Sequence, residues 1–302
     1  MLLKTDDVCV ILWRIAAAYA KAVISEQTKI RRRNMLRLIA SDIDGTLVPD
    51  SSPTINEEYF EVIRALQAKG VRFCPCSGRA FSSMVRMFEP LKDEVYFICE
   101  NGSVLRTADK ILHAWTIPEG VYAPFIEDAR KLPGISICVS TPENVYTDAG
   151  EDSELFLLLR DSYRYDVENI EDLLSVPEDQ VIKISLYHHD SCEEVARPIT
   201  ESHWQEDLQM LCSGKQWVDG LAKNAGKGEA FALLQEYLDI PKEETMYFGD
   251  NMNDLTAFKE AGISQTVSSA RSEVKESVDY IAHSVKHDGV LQELKKILMI
   301  IG

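Results

Sequence analysis

CxxC motifs, internal repeats, low-complexity tracts and apolar runs long enough for a membrane helix are all missing from this 302-residue chain, and each absence removes a class of protein. The seven cysteines (Cys9, Cys74, Cys76, Cys99, Cys138, Cys192 and Cys212) form an odd, scattered set without a CxxC motif. Several lie in apolar runs such as Tyr96-Phe97-Ile98-Cys99, which fits buried free thiols in a reducing, cytoplasmic setting and not a disulfide framework. The one close pair, Cys74-Pro75-Cys76, sits in a strand-like run and lacks the partners of a zinc site. The apolar stretch Val8 to Ile24 is broken by Arg14 and Lys21 and falls short of the roughly 20 residues of a membrane helix, so no stable membrane association is expected. Positive charge is also scarce. With 32 Lys+Arg against 49 Asp+Glu the net charge is −17, which repels nucleic acid and anionic membranes alike. A small phosphorylated ligand remains compatible only where a metal or a local cation reverses the field.

What is present is the balance of an ordinary globular protein, 45% hydrophobic and 27% charged, at a length that suggests two domains. Residues 1–34 differ from the rest, with seven basic residues against three acids. They are expected to be an extension or a loosely held helix preceding a fold that starts at Met35, since their charges flank the apolar part on the wrong side for a signal peptide.

From Met35 onward, short apolar strands alternate with amphipathic helices, the pattern of a parallel sheet covered on both faces. Leu36 to Ala40 reads as a strand that stops at Asp42. A helix over about 56–69 follows, entered through the capping-box pattern Thr54-x-x-Glu57 and ended by Gly70. Val71 to Cys76 is a second strand whose pairing is expected to break at Pro75, which cannot donate to a ladder. Val95 to Cys99 is a third. The stretch 118–214 carries its own elements, among them strands at Ile135–Val139 and Val181–Tyr187 and a helix at Glu193–Glu201, and reads as a separate α+β module inserted into a core of 35–117 and 215–302. The core pattern resumes with a helix at Glu229–Leu238 and a strand at Thr245–Phe248.

Chemistry concentrates at strand ends. Asp42-Ile43-Asp44-Gly45-Thr46 directly follows a buried strand, where open α/β sheets bind ligands. Two carboxylates there repel each other unless a cation sits between them. Taken alone, the same residues also fit a polar turn closed by Gly45. A second acidic cluster, Gly249-Asp250-Asn251-Met252-Asn253-Asp254, also follows an apolar strand, and in a parallel sheet the two clusters share one edge, where they can surround a hard cation. An EF-hand is excluded because Met252, Leu255 and Ala261 occupy positions that require a ligand, a glycine and a glutamate. Ser77-Gly78-Arg79 offers a hydroxyl and backbone amides at a helix start. Gly226-Lys227-Gly228 supplies a cation before a helix, but Leu221 and Gly228 depart from the P-loop pattern.

An acid pair, a hydroxyl donor, a lysine and a second acid cluster, in that order, resemble the four motifs of the haloacid dehalogenase superfamily. Glu100-Asn101-Gly102 and His287-Asp288-Gly289-Val290 extend the resemblance to its Cof-type branch, subfamily IIB. The resemblance implies an α/β, Rossmann-like core with an inserted α+β cap of the C2 type, and a Mg²⁺-dependent phosphatase of small phosphorylated metabolites, sugar phosphates foremost. It implies Asp42 as nucleophile, Asp44 as general acid and base, and Ile43, Ser77, Gly78, Lys227 and Asn253 at the phosphate. Magnesium would be held by Asp42, Asp44 (through its backbone carbonyl), Asp250 and Asp254, with Asp254 either a ligand or an orienting group. Thr46 and Asn253 are helpers or caps, and Arg79 touches substrate or pairs with an acid. Lys183, in the alternating run Val181 to Ser185, reads as the solvent side of a half-buried strand in preference to a cleft residue. The alternatives are a phosphomutase, a pathway-specific phosphatase of the trehalose or sucrose phosphate type, or a catalytically degenerate member that only binds a metabolite. The oligomeric state is left open.

Overall fold

A computed structural model describes residues 36–213 and 215–301, so the expected extension 1–34 lies outside the described residues. In chain order, β1 (Leu38–Asp42) leads to α1 (Glu58–Ala68), β2 (Arg72–Cys76), α2 (Phe81–Met87), β3 (Phe97–Cys99) and the hairpin β4 (Val104–Arg106) and β5 (Ile111–Ala114). There follow α3 (Tyr122–Ala129), β6 (Ser136–Ser140), β7 (Val145–Thr147), β8 (Val167–Asn169), β9 (Lys183–Tyr187), β10 (Leu208–Cys212) and β11 (Trp217–Ala222). The chain returns through α4 (Lys227–Leu238), β12 (Thr245–Gly249), α5 (Leu255–Glu260), β13 (Ile263–Val267), β14 (Tyr280–Ala282) and α6 (Gly289–Ile301).

Two sheets result. The first has the order β14-β13-β12-β1-β2-β3-β4-β5, parallel from β14 to β3 and antiparallel only in the hairpin edge. The chain runs outward from β1 in one direction and later returns to its other side with β12, so β1 and β12 flank the topological switch point where such sheets bind ligands. Both strands are buried along their whole length, as expected of a sheet covered on both faces. On one face, α1 buries Tyr59, Phe60, Val62, Ile63 and Leu66 and packs against α6. Burial of Phe60, Val62, Ile63 and Leu66 contributes about 1.5–3 kcal/mol each. The hydroxyl of Tyr59 accepts the Leu291 amide (3.2 Å), one of the otherwise unpaired donors in the first turn of α6.

The second sheet has the order β10-β11-β9-β6-β7-β8 and is antiparallel apart from β7 and β8. Its two faces differ. Ile137, Val139, Ile184, Leu186 and Val218 form an apolar face that packs with Phe125 and Ile126 of α3. The alternate residues Ser140, Lys183, Ser185 and Asp219 point to the other side, over the carboxyl edge of the first sheet.

Four expectations change. The sheet runs past the expected boundary at 214, because β11 pairs with both β9 and β10 through Ala222. The helix expected at Glu193–Glu201 is two short ones, Cys192–Val195 and Arg197–Thr200, with Pro198 in the first turn of the second, where its missing donor costs nothing. The Thr54–Glu57 capping box does not form. Instead Asn56 accepts the Glu58 amide (3.1 Å) at the start of α1. Finally, β2 pairs with β1 without interruption through Pro75, and the thin ladder is the one to β3, where a single residue pair remains, Cys76 with Ile98. Arg72 donates toward β1, so Pro75, an odd number of residues on, presents its missing donor to β3. Among the described residues no helix is long and apolar enough to cross a membrane.

Candidate active site

β1 ends in Asp42, β2 leads into Ser77, β12 leads into Asp250, and α4 begins at Lys227, so four distant segments deliver side chains to one edge. Asp42, Ser77 and Asp250 line a cavity of about 620 Å³ between the two sheets, a size suited to small-molecule ligands, and Lys227 lies beneath Asp42.

Lys227 is 1% exposed, with its ammonium 2.6 Å from Asp42 Oδ1 and 2.8 Å from Asp254 Oδ1. Asp254 is saturated. Its Oδ1 also accepts the Tyr247 hydroxyl (2.9 Å), and its Oδ2 accepts the amides of Asp250 and Asn251 (3.0 Å each). Four donors match the lone-pair sites of a carboxylate, so in this arrangement Asp254 orients Lys227 and the loop. Asp250 is placed by the Thr46 hydroxyl (2.8 Å to Oδ1), so Thr46 acts as an orienting group. Gly45 is required there: its φ is +80°, and a Cβ would stand 2.5 Å from Asp250 Oδ2.

Asp42, Asp250 and Asp254 bring one carboxylate oxygen each within 4.8 Å of the others. Burial pushes the Asp42 carboxyl well above the usual range, with Lys227 opposing and Asp254 and Asp250 adding to the rise. Burial and Asp254 push Asp250 up to about 6. Burial alone would lower the Lys227 ammonium, but Asp254 and Asp42 outweigh it and hold it charged. Two carboxylates that resist ionising side by side, with oxygen as the only donor atom, fit a small hard dication.

The carboxylate of Asp44 is not in this cluster. It turns to Arg79, which makes a bidentate pair with it (2.7 and 2.5 Å) and also donates to the Ser52 carbonyl (2.8 Å). Arg79 therefore pairs with an acid, and a metal-ligand role for Asp44 is confined to its backbone. Ser77 is buried and accepts the Arg79 amide (3.1 Å). Gly78 lets Asn101 approach, since a Cβ would stand 2.8 Å from Asn101 Oδ1. Ile43 is fully buried, and its carbonyl closes the Asp44–Val48 turn by accepting the Leu47 and Val48 amides. Asn253 donates to Asn101 (3.0 Å), while the helix cap here is Asn251.

Lys183 is not on the solvent side. It is 5% exposed and forms a buried ion pair with Glu100 of the turn after β3. Its strand alternates as the sequence indicates, but the face opposite Ile182 and Ile184 is roofed by the first sheet. Asp219, a lone acid in the apolar run Trp217 to Ala222, was missed by sequence reasoning. It accepts from Ser185 (2.6 Å), Ser213 (2.7 Å) and Asn101 (2.9 Å). Farther out, Tyr163 and Trp217 line the same cavity with ring centroids 6.2 Å apart.

The family model for haloacid dehalogenase-like hydrolases matches residues 39–294. The 5-amino-6-(5-phospho-D-ribitylamino)uracil phosphatase YbjI of Escherichia coli is 24% identical over 263 residues, covering 87% of this chain and 96% of that protein. Phosphatase YwpJ of Bacillus subtilis is 26% identical over 297 residues, covering 87% of this chain and all of its own length. A solved structure from Eubacterium rectale is 36% identical with a TM-score of 0.79, covering 87% of this chain and 99% of that one. A subclass IIB sugar phosphatase of the superfamily superposes with a TM-score of 0.73 at 22% identity, covering 88% of this chain and 100% of that one.

Proposed function

Because the chain belongs to the haloacid dehalogenase-like hydrolases, Cof-type, and is a phosphoric monoester hydrolase of phosphorylated metabolites, we propose that it works through an aspartyl-phosphate on Asp42, with Mg²⁺ as its cation and sugar phosphates or related polyol phosphates as substrates. The observation that carries this reading is the base of the site, where Lys227 joins Asp42 to Asp254 while Asp250, placed by Thr46, brings a carboxylate oxygen within 4.8 Å of theirs.

In this mechanism an oxygen of Asp42 attacks phosphorus and the ester oxygen departs with a proton from Asp44. A water then attacks the phosphorus of the acyl phosphate, gives its proton to Asp44, and releases inorganic phosphate and free Asp42. Asp44 reaches these protons by exchanging its contact with Arg79 for one with the leaving group. Ser77, the amides near Ile43 and Gly78, and Lys227 stabilise charge on the phosphoryl oxygens. Asp42, the Asp44 carbonyl and Asp250 would hold the cation, whose chemistry is to offset the charge of a dianionic ester among carboxylates. Asn253 holds Asn101 beside the phosphate turn. The six-stranded unit acts as a cap that closes over the leaving group and excludes water.

The aromatic outer wall at Tyr163 and Trp217 favours a second reading, a polyol phosphate that carries a planar group, and the named activity of the Escherichia coli relative has that character. A panel of phosphorylated sugars, nucleotides and ribityl compounds, with and without Mg²⁺, separates the two. Asp42→Asn is expected to abolish turnover of p-nitrophenyl phosphate with the fold intact by circular dichroism, and Mg²⁺-dependent turnover surviving in that variant would exclude Asp42 as nucleophile.

A further inference from the structure

Glu100 and Asn101 both adopt left-handed backbone conformations (φ +53° and +56°), which side chains with a Cβ seldom take. Four segments meet at this strained turn. The Glu100 amide donates to the Arg79 carbonyl and the Asn101 amide to the Ser77 carbonyl, both at 3.0 Å. The Asn101 side chain donates to Asp219 of the second sheet (2.9 Å) and accepts from Asn253 (3.0 Å). Gly102 lies against the chain entering α4, where a Cβ would stand 2.1 Å from the Gly226 carbonyl carbon.

The Glu100 carboxylate, 3% exposed, pairs with the ammonium of Lys183, 6% exposed, which reaches down from β9. The same ammonium donates to the Gly78 carbonyl (3.1 Å). Neither Lys183 nor Glu100 has a part in the chemistry above. A buried ion pair adds little stability over an apolar pair of the same size, and here it sits beside a strained backbone, so stability does not account for it.

We propose that Lys183, anchored by Glu100, is a positioning residue that holds the Ser77–Gly78 turn in its phosphate-accepting form when the second sheet is seated over the core. The proposal rests on the phosphatase reading. Fixing the Gly78 carbonyl fixes the direction of the peptide units around it, and with them the donors aimed at the phosphoryl oxygens. Closure over a substrate thereby completes the phosphate site.

The test compares the wild-type chain with Lys183→Met, Glu100→Gln and the double variant, which removes both charges of the pair together, so that neither is left buried alone, while Asp219 keeps its three neutral donors. Binding of inorganic phosphate in the presence of Mg²⁺ is read by calorimetry, beside a thermal melt and the kcat and KM for p-nitrophenyl phosphate. In the double variant, phosphate binding is expected to weaken about tenfold, the scale of one charge-assisted hydrogen bond, with a matching rise in KM and little change in the melt. Phosphate binding equal to wild type in the folded double variant overturns the proposal. The two readings fail separately: a wild-type chain that binds phosphate without Mg²⁺-dependent hydrolysis contradicts the nucleophile assignment, whereas undiminished phosphate binding in the double variant contradicts only the role of Lys183.

Discussion

Replacing Lys227 by methionine removes the cation beneath Asp42 while keeping most of its side-chain volume. In the structure its ammonium is 2.6 Å from Asp42 and 2.8 Å from Asp254, and the side chains on both sides of each contact are at most 7% exposed. Asp254 retains the Tyr247 hydroxyl and two amides, but Asp42 loses its charge partner. Breaking a buried pair from one side costs about 3–5 kcal/mol, because the remaining charge is left without compensation. The sign of the pH dependence follows. Burial already raises the Asp42 carboxyl and Lys227 opposes that rise, so without Lys227 the folded protein prefers protonated Asp42 over a wider range. Between the unfolded and folded titrations the native state then holds the extra proton, and stability falls as pH rises. Urea unfolding without divalent ions is expected to show a loss of about 3–5 kcal/mol at pH 7.5 and a smaller one at pH 5. Hydrolysis of p-nitrophenyl phosphate is expected to fall about 10²–10³-fold, mostly in kcat, as for loss of a group that stabilises developing negative charge. Equal stability of variant and wild type at both pH values would refute the reasoning.

Gly45→Ala places a Cβ at positive φ and 2.5 Å from Asp250 Oδ2. It is expected to cost about 1–2 kcal/mol from the backbone alone, read by urea unfolding, and to weaken Mg²⁺ binding by displacing Asp250. Removing metal with a chelator exposes the raised carboxyl groups: with Asp250 pushed up to about 6 and Asp42 raised as well, the folded state favours their protonated forms. The stability these two groups contribute to the metal-free protein is therefore fully present below the unfolded range of about 4 and is lost as pH rises toward 6 and beyond, so the rise in melting temperature on adding Mg²⁺ should grow from pH 5 to pH 7.5. A Mg²⁺ effect that is flat across that range would contradict it.

The sheet and the acid cluster are legible because they rest on local signals that converge. Apolar strands ending in Asp42 and running into Asp250 identify themselves, and parallel strands bring their carboxyl ends to one edge. Lys183 shows where such signals stop. Alternation says that Lys183 and Ile184 point opposite ways, but whether the polar face meets water or a second layer depends on contacts 83 residues away, at Glu100. The same holds for the pairing of Asp44 with Arg79, set by how the turn after β1 folds back toward Ser52. The boundary at 214 failed for a different reason: Trp217 to Ala222 has no compositional break, and only its antiparallel register with β9 and β10 assigns it to the second sheet.

Phosphorus bonding to Asp42 during turnover is the step on which the proposed chemistry depends. Acid quench of the enzyme mixed with excess substrate, reduction with borohydride and peptide mass spectrometry read this directly, because an acyl phosphate is reduced to the alcohol while a free carboxylate is not. The expected result is homoserine at position 42, absent without substrate. Reduction at another aspartate, or unmodified Asp42 under steady turnover, would contradict it.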